Sequence, residues 1–358
     1  MPAIIAHDTF GREVYDRHYP LIGGSRDEAD AFLLGNQGPD PLFFAVLSPS
    51  LHAHSRLGST MHSQKPADLL AALKQSLTVL EDGERAVGRA YALGFLCHHV
   101  LDSTLHPFVY FHEHSLCDAG EPGLSRADGH EVHGIIESEL DELVLFTKRG
   151  TTVAAFNPAT DILKANDRVL DAISKMHAFV ALTVYGRFVP ADLFARSVRN
   201  YRLAQAAFHS PTGAKRALAG RIERLVRPHS FFQAMSHRPV ELTESVFDNR
   251  DRRAWENPFT GEVRTESFWD LYDKARSCAC AAIPTFDRPG FNVEAARAIT
   301  HDLDFSGRPT TAVVLSVEDG PNAGDPNAGD PNADGPHAGG PNEAGPHADD
   351  AQTPAESA

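Results

Sequence analysis

The stretch Gly94-Phe-Leu-Cys-His-His-Val-Leu-Asp-Ser-Thr-Leu-His-Pro gathers several groups able to ligate a cation. Four residues of α-helix advance about 400°, so His98, Asp102 and His106 fall within roughly 80° of one another on one face. Neighbours in that row lie close enough to share a metal ion. The outer two do not, because eight residues at about 1.5 Å each separate their Cα atoms by about 12 Å. Zinc–nitrogen bonds are only about 2.0–2.1 Å long, so His98 and His106 serve different ions. Asp102, with two oxygens, is placed to bridge, and the row therefore predicts a multinuclear centre. Pro107 disfavours helical geometry at the residue before it, which puts His106 on a loosened final turn. His133-Gly-Ile-Ile-Glu137 is a second i, i+4 couple, and Ile135, Ile136 and Leu140 predict that its helix turns into the core. Buried polar groups are costly unless paired or metal-bound. Either spacing alone arises by chance in many helices, and a lone core histidine is ordinarily satisfied by hydrogen bonds; the combination is what argues for metal.

Other groups read more plainly. His99 points about 100° away from His98, which makes it a core or supporting residue rather than a ligand. His112, His114 and His130 fall in or beside an expected loop, Phe111 to Gly129, and are expected at the surface. His130 is a substitute for His133 but lacks an acid four positions on. Phe43 and Phe44 read as core packing before they read as the wall of a lipid pocket. Cys278 and Cys280 fit no zinc site without further partners and read as packing residues. Arg250, Arg252 and Arg253 read as a solvated basic face.

The elements that must carry these groups are helices. Leu69, Leu70, Leu73, Leu77 and Leu80 recur at three-to-four spacing after Pro66. Arg85–Leu105, Gly134–Phe146, Asp161–Val184, Ala191–Phe208 and Ala214–Val226 read as helical too, and the best strand-like run, Thr311 to Val317, is short. The fold class is all-α. Of 358 residues 42% are hydrophobic, enough for a sizeable core. The domain reading is a helical body over 1–230, a helical extension packed on it over 231–306, and a disordered tail over 307–358. From Pro321 to Asp350 the tail repeats a proline-led five-residue unit (PNAGD, PNAGD, PNADG, PHAGG, PNEAG, PHADD), so this acidic segment lacks helix propensity and has almost nothing apolar to bury. His337 and His347 within it have no preorganised partner.

The formal charge of −15 argues against stable nucleic-acid binding by phosphate neutralisation. No apolar run reaches the roughly 18 residues of a transmembrane helix. The opening MPAIIAHDTFGREVYD has neither the basic nor the apolar region of an export signal, so the expected location is cytoplasmic. Four cysteines are too few for a disulfide scaffold. Histidine is the unusual count: 19 in all, 12 of them at or before His133.

The ordered set His7…Phe10-Gly11, Gly38-Pro39-Asp40, Met61-His62, Cys97-His98-x-x-x-Asp102-x-x-x-His106-Pro107 and His133-x-x-x-Glu137 resembles the bacterial zinc-dependent phospholipase C family, in its short, signal-less type. The resemblance spans about residues 1–141, with a fainter echo in Trp255-Glu-Asn-Pro and Ser267-Phe-Trp-Asp-Leu. It implies an all-helical multi-helix bundle of the phospholipase C and single-strand nuclease type, holding two or three zinc ions. Carried over, Asp40, His62 and His98 hold the first ion. Asp102 bridges to a second that also takes His7, and His106, His133 and Glu137 hold the third. His54 lies near the spacing of the secreted members, whereas Met61-His62 fits the signal-less ones, and His62 is taken. In the secreted members the free amino terminus is also a ligand; here six residues precede His7. The implied activity is hydrolysis of a phospholipid or another phosphodiester by zinc-activated water, with Asp40 as the candidate base. The alternatives are a nuclease-type phosphodiesterase on the same scaffold and a non-catalytic helical protein with structural zinc.

Overall fold

The computed structural model describes residues 3–120, 124–226 and 230–310. In chain order the helices are α1 (Ile4–Ile22), α2 (Arg26–Gly35), α3 (Leu57–Ser63), α4 (Pro66–Gln75), α5 (Arg85–Cys117) and α6 (Gly129–Arg149). They continue with α7 (Pro158–Asp161), α8 (Asp167–Tyr185), α9 (Leu193–Phe208), α10 (Ala214–Glu223), α11 (Phe231–Met235), α12 (Phe268–Asp287) and α13 (Val293–Thr300). Short 3₁₀ turns, chiefly Asp40–Leu47 and Pro49–His54, join α2 to α3. Among the described residues the strands are two-residue pieces, β1 (Trp255–Glu256) paired antiparallel with β2 (Val263–Arg264). The all-α class is what the structure has.

The axis of the molecule is α5, whose 33 residues span about 50 Å at 1.5 Å each. It packs against α1, α2, α6, α8 and α12. Almost everything from Ala90 to Asp102 on it is buried. Glycines let α2 approach closely: a Cβ on Gly94 would stand 2.0 Å from Phe32 O, and one on Gly35 2.2 Å from Tyr91 O. These backbones touch, which no residue with a side chain allows. Caps set several helix starts. Ser25 and Glu28 form a capping box on α2, as Ser267 and Asp270 do on α12.

Several sequence expectations change. The helix expected to loosen at His106 continues through Pro107 for ten residues to Cys117, so His112 and His114 lie on α5 and not in a loop. Proline removes the hydrogen bond to the carbonyl four residues back, that of Ser103. There Gly307, at φ 74°, sits so tightly that an added Cβ would be 2.6 Å from Ser103 O and 2.5 Å from the Pro107 ring. Tertiary packing at this point overrides the local preference. The helix expected from Asp161 starts instead at Asp167, because Asn166 caps it through Val169 N. Ile135 is 44% exposed and does not join the core, although Ile136 and Leu140 do. Cys278 is exposed rather than packed, whereas Cys280 is half-buried against the core.

The stretch 231–306 contributes to the same core: Phe268, Leu271, Tyr272, Ile283 and Phe305 join Ile4, Phe10 and Phe95. Residues 307–310, read from sequence as the start of the tail, belong to this body, with Asp304 N donating to Arg308 O at 2.9 Å and Thr310 N to Asp302 O at 2.8 Å. The repeat tail from 311 and the strand-like run Thr311 to Val317 lie outside the described residues.

Candidate metal centre

Each of the sequence-predicted ligands is delivered by an element with a local reason to be where it is. His7 lies on the first turn of α1, whose free amide groups are taken by a buried carboxylate: Ile5 N donates to Asp141 Oδ2 at 3.0 Å and Ala6 N to Oδ1 at 2.7 Å. His237 holds that carboxylate at 2.8 Å. Asp40 opens the 3₁₀ turn after α2, reached through Gly38 at φ 50°, where a Cβ would fall 2.1 Å from His98 Cδ2. Glycine is needed there on both counts. His62 ends α3, His98, Asp102 and His106 line α5, and His133 and Glu137 sit on α6.

The eight side chains converge into three groups: His7, His98 and Asp102; Asp40, His62 and His98; and His106, His133 and Glu137. Within each, one ligand atom per residue lies within 4.8 Å of the others. His98 and His106 fall in different groups, as the helical rise requires, and His98 links the first two. His54, half-buried in its 3₁₀ turn, joins none of the groups.

The ring nitrogens are sorted. His62 Nδ1 donates to Gly58 O at 2.8 Å, leaving Nε2 3.0 Å from Asp40 Oδ1. His106 Nδ1 donates to Phe305 O at 2.6 Å, and His133 Nδ1 to Glu113 Oε2 at 2.9 Å. Their Nε2 atoms each stand 3.3 Å from Glu137 Oε1. Ligand atoms on a tetrahedral zinc with bonds of about 2.0–2.1 Å stand about 3.3–3.4 Å apart, so both histidine–Glu137 spacings match those around such an ion. His98 Nδ1 lies 3.1 Å from Asn36 O. Its Nε2, 3.1 Å from Asp102 Oδ2 but off the hydrogen-bond direction, is buried without a hydrogen-bond partner among the described residues. Asp102 Oδ1 meets His7 Nε2 at 3.0 Å. His98 Nδ1 also lies 3.2 Å from His7 Nδ1, so with Nδ1 committed His98 would offer one lone pair to a single ion, which makes Asp102 the candidate bridge.

Charge follows this geometry. Burial raises the Asp102 carboxyl, but His98, His106 and His7 outweigh it and hold the group well below the usual carboxylate range. Glu137 is likewise held well below, its burial outweighed by effects that include His133 and His106. Burial lowers His106, yet Asp102, Glu137 and the Phe305 carbonyl push it up to about 9. His106, raised to about 9, thus stands beside two carboxylates held ionised in a buried site, a donor set from which a divalent cation displaces protons.

His99 is buried with Nε2 donating to Leu303 O at 3.0 Å, a core residue as expected. His112 is not exposed: burial drives it down to about 4, and it packs edge-on against Phe108. Phe44 is buried, whereas Phe43 leans on His62 at 5.0 Å. Arg250, Arg252 and Arg253 are exposed, each paired with a carboxylate.

Sequence reasoning passed over the groups that orient the ligands. Glu113 had a signal, for fifteen residues after His98 is about 60° around the helix, inside the ligand stripe. Gly58 O, Asn36 O and Phe305 O had none, since any residue supplies a carbonyl. Phe305 also packs its ring against His62, His98 and His99, at 5.0, 5.6 and 4.8 Å. A cavity of about 30 Å³, room for about two waters, lies beside His7, Asp102, His106 and Glu137 and is walled by Leu101, Leu105, Val109, Leu140 and Phe268.

The fold and these groups define an all-helical protein with clustered histidines and carboxylates that could hold several metal ions. Comparison with known protein families, with curated proteins and with solved structures finds no match.

Proposed function

We propose that the chain is a zinc-dependent phosphodiester hydrolase of the phospholipase C type. The observation that carries the reading is that two ligand groups meet at His98, whose Nε2 lies 3.1 Å from Asp102 Oδ2, with a third group beginning one helical turn after Asp102. Zinc in such a centre would supply positive charge for an anionic phosphodiester and lower the pKa of water to about 7. Asp40, His62 and His98 would hold one ion, His7 and Asp102 a second, and His106, His133 and Glu137 a third. Asp40, kept ionised because His62 and His98 outweigh its burial, offers a carboxylate oxygen to take a proton from the attacking water. Gly58 O, Asn36 O, Phe305 O and Glu113 keep four rings turned so that the Nε2 lone pairs face inward. Leu101, Leu105, Val109, Leu140 and Phe268 line the cavity beside Asp102 and Glu137 with apolar surface. No helix among the described residues is long and apolar enough to cross a membrane, so a lipid substrate would be reached from the water side.

The small size of the cavity supports a second reading, in which the metals are structural, because a structural site is closed and a catalytic one keeps an open position. Metal content per chain, followed by turnover of a chromogenic phosphorylcholine ester and of single-stranded DNA, separates the readings. Two or more zinc ions with ester turnover is the expected result. DNA cleavage alone points to a nuclease, and bound zinc with neither activity to a structural role.

A further inference from the structure

A surface helix ordinarily turns its apolar stripe toward the core. In α10 the stripe faces the other way. Leu218 and Ile222, one helical turn apart, are 62% and 59% exposed, and Leu225 and Val226 just past the helix end are 83% and 85% exposed. The one buried residue of α10 is Gly220. Two residues turn a helix by about 200°, so Gly220 marks the face opposite Leu218. A Cβ on Gly220 would stand 2.2 Å from Gln233 Nε2, which is how closely this face lies on α11. The outward apolar stripe is therefore a consequence of how the helix docks.

Its charges are arranged with the same bias. Between Ala214 and Val226 there are four bases and one acid, in a chain whose net charge is −15. The acid, Glu223, is turned inward, accepting from Ser230 Oγ and from Phe232 N. Arg221 is exposed on one flank of the stripe, whereas Arg224 and Lys215, though exposed, turn back onto the protein, Arg224 Nη2 donating to Gln233 Oε1 at 2.6 Å and Lys215 Nζ to Ala207 O at 2.8 Å. Leucine and isoleucine at the crest with a cation beside them match a boundary of hydrocarbon and negative charge. Pairing of two copies through this stripe would bring like-charged arginines together, because a two-fold contact opposes each patch to itself.

We propose that α10 and the turn after it dock on an anionic lipid surface, with Leu218, Ile222 and Leu225 entering the headgroup layer and Arg221 meeting a lipid phosphate. The surface does not depend on the metal chemistry, and its test reads binding rather than turnover. Full-length protein is sedimented with vesicles of phosphatidylcholine alone and with vesicles of equal parts phosphatidylserine and phosphatidylcholine, at low and high salt. The expected result is binding to the anionic vesicles despite the acidic chain, weakened by salt. Leu218→Ser with Ile222→Ser lowers the partition coefficient by about tenfold per residue. Arg221→Gln lowers the anionic preference by about fivefold. These positions are exposed, and an unchanged melting temperature checks that the variants fold. Absence of vesicle binding overturns the proposal, as does equal binding by the serine variant. So does a wild-type dimer in sedimentation velocity that the serine substitutions convert to a monomer without any effect on lipid.

Discussion

Removing the Glu113 side chain probes the centre without touching a ligand. Its Oε2 accepts from His133 Nδ1 at 2.9 Å, and its Oε1 lies over the first residue of α6, where a Cβ on Gly129 would be 2.6 Å away. The carboxylate thus does two jobs. It fixes the His133 ring with Nε2 3.3 Å from Glu137, and it places negative charge at a helix N-terminus. Loss of the second job costs about 0.3–1 kcal/mol of folding stability. Loss of the first frees the ring to rotate, and outer partners of metal-bound histidines are worth about 10–100-fold in affinity, or about 1.4–2.7 kcal/mol. Glu113→Ala is therefore expected to weaken the affected zinc site by that factor while the other sites stay tight. Glu113→Gln, which keeps an acceptor oxygen and loses only the charge, should fall between alanine and wild type. Zinc is titrated against a chromophoric chelator, with melting temperature followed in parallel. Equal affinity in wild type and alanine variant would show that His133 is positioned by something else. Equal weakening of every site would show a general loss of structure instead.

Asp102→Asn should release metal while His99→Ala should not, since one faces the histidine rows and the other Leu303; elemental analysis showing equal loss from both would refute the face assignment. Gly94→Ala forces a Cβ to 2.0 Å from Phe32 O, so α2 must move off α5 at a cost of about 3 kcal/mol. Thermal or urea melting reads this, and a variant as stable as wild type would mean the two backbones are not in contact. His177 is driven by burial down to about 3, below its ordinary 6.5. Its folded form binds protons less readily than the unfolded one, so stability present above pH 6.5 is lost as pH falls toward 3. At about 1.4 kcal/mol per pH unit, wild type should lose about 2 kcal/mol more than His177→Gln between pH 6.5 and 5. Parallel urea curves for the two proteins would contradict a neutral, buried His177.

Much of the centre was written in helical periodicity. His98, Asp102 and His106 share a face because four residues make slightly more than a turn, and His133 and Glu137 pair for the same reason. That arithmetic needs no partner, which is why the all-α class, the three-on-a-stripe row and the separation of His98 from His106 could be read from the chain alone. Gly38 and the motif around Asp40 carried a further hint, since glycine tolerates the positive φ that delivers the carboxylate. Local rules misjudged the places where another segment intervened. Pro107 reads as a stop because its missing amide and its ring work against the helix, yet α5 runs on where Gly307 packs against that turn. His112 reads as exposed because it falls at the start of an expected loop rich in glycine and acids, yet Phe247 and Phe108 close over it.

What the sequence by itself determined is which residues can share a helix face, since that depends only on rise and rotation per residue. What tertiary structure decided is how α1, α3, α5 and α6 bring those faces to one place and which carbonyls aim the rings, including two from Leu303 and Phe305 some 200 positions from their histidines. Backbone carbonyls are chemically alike, so their assignment is a matter of chain path and packing, and no pattern of side chains encodes it directly.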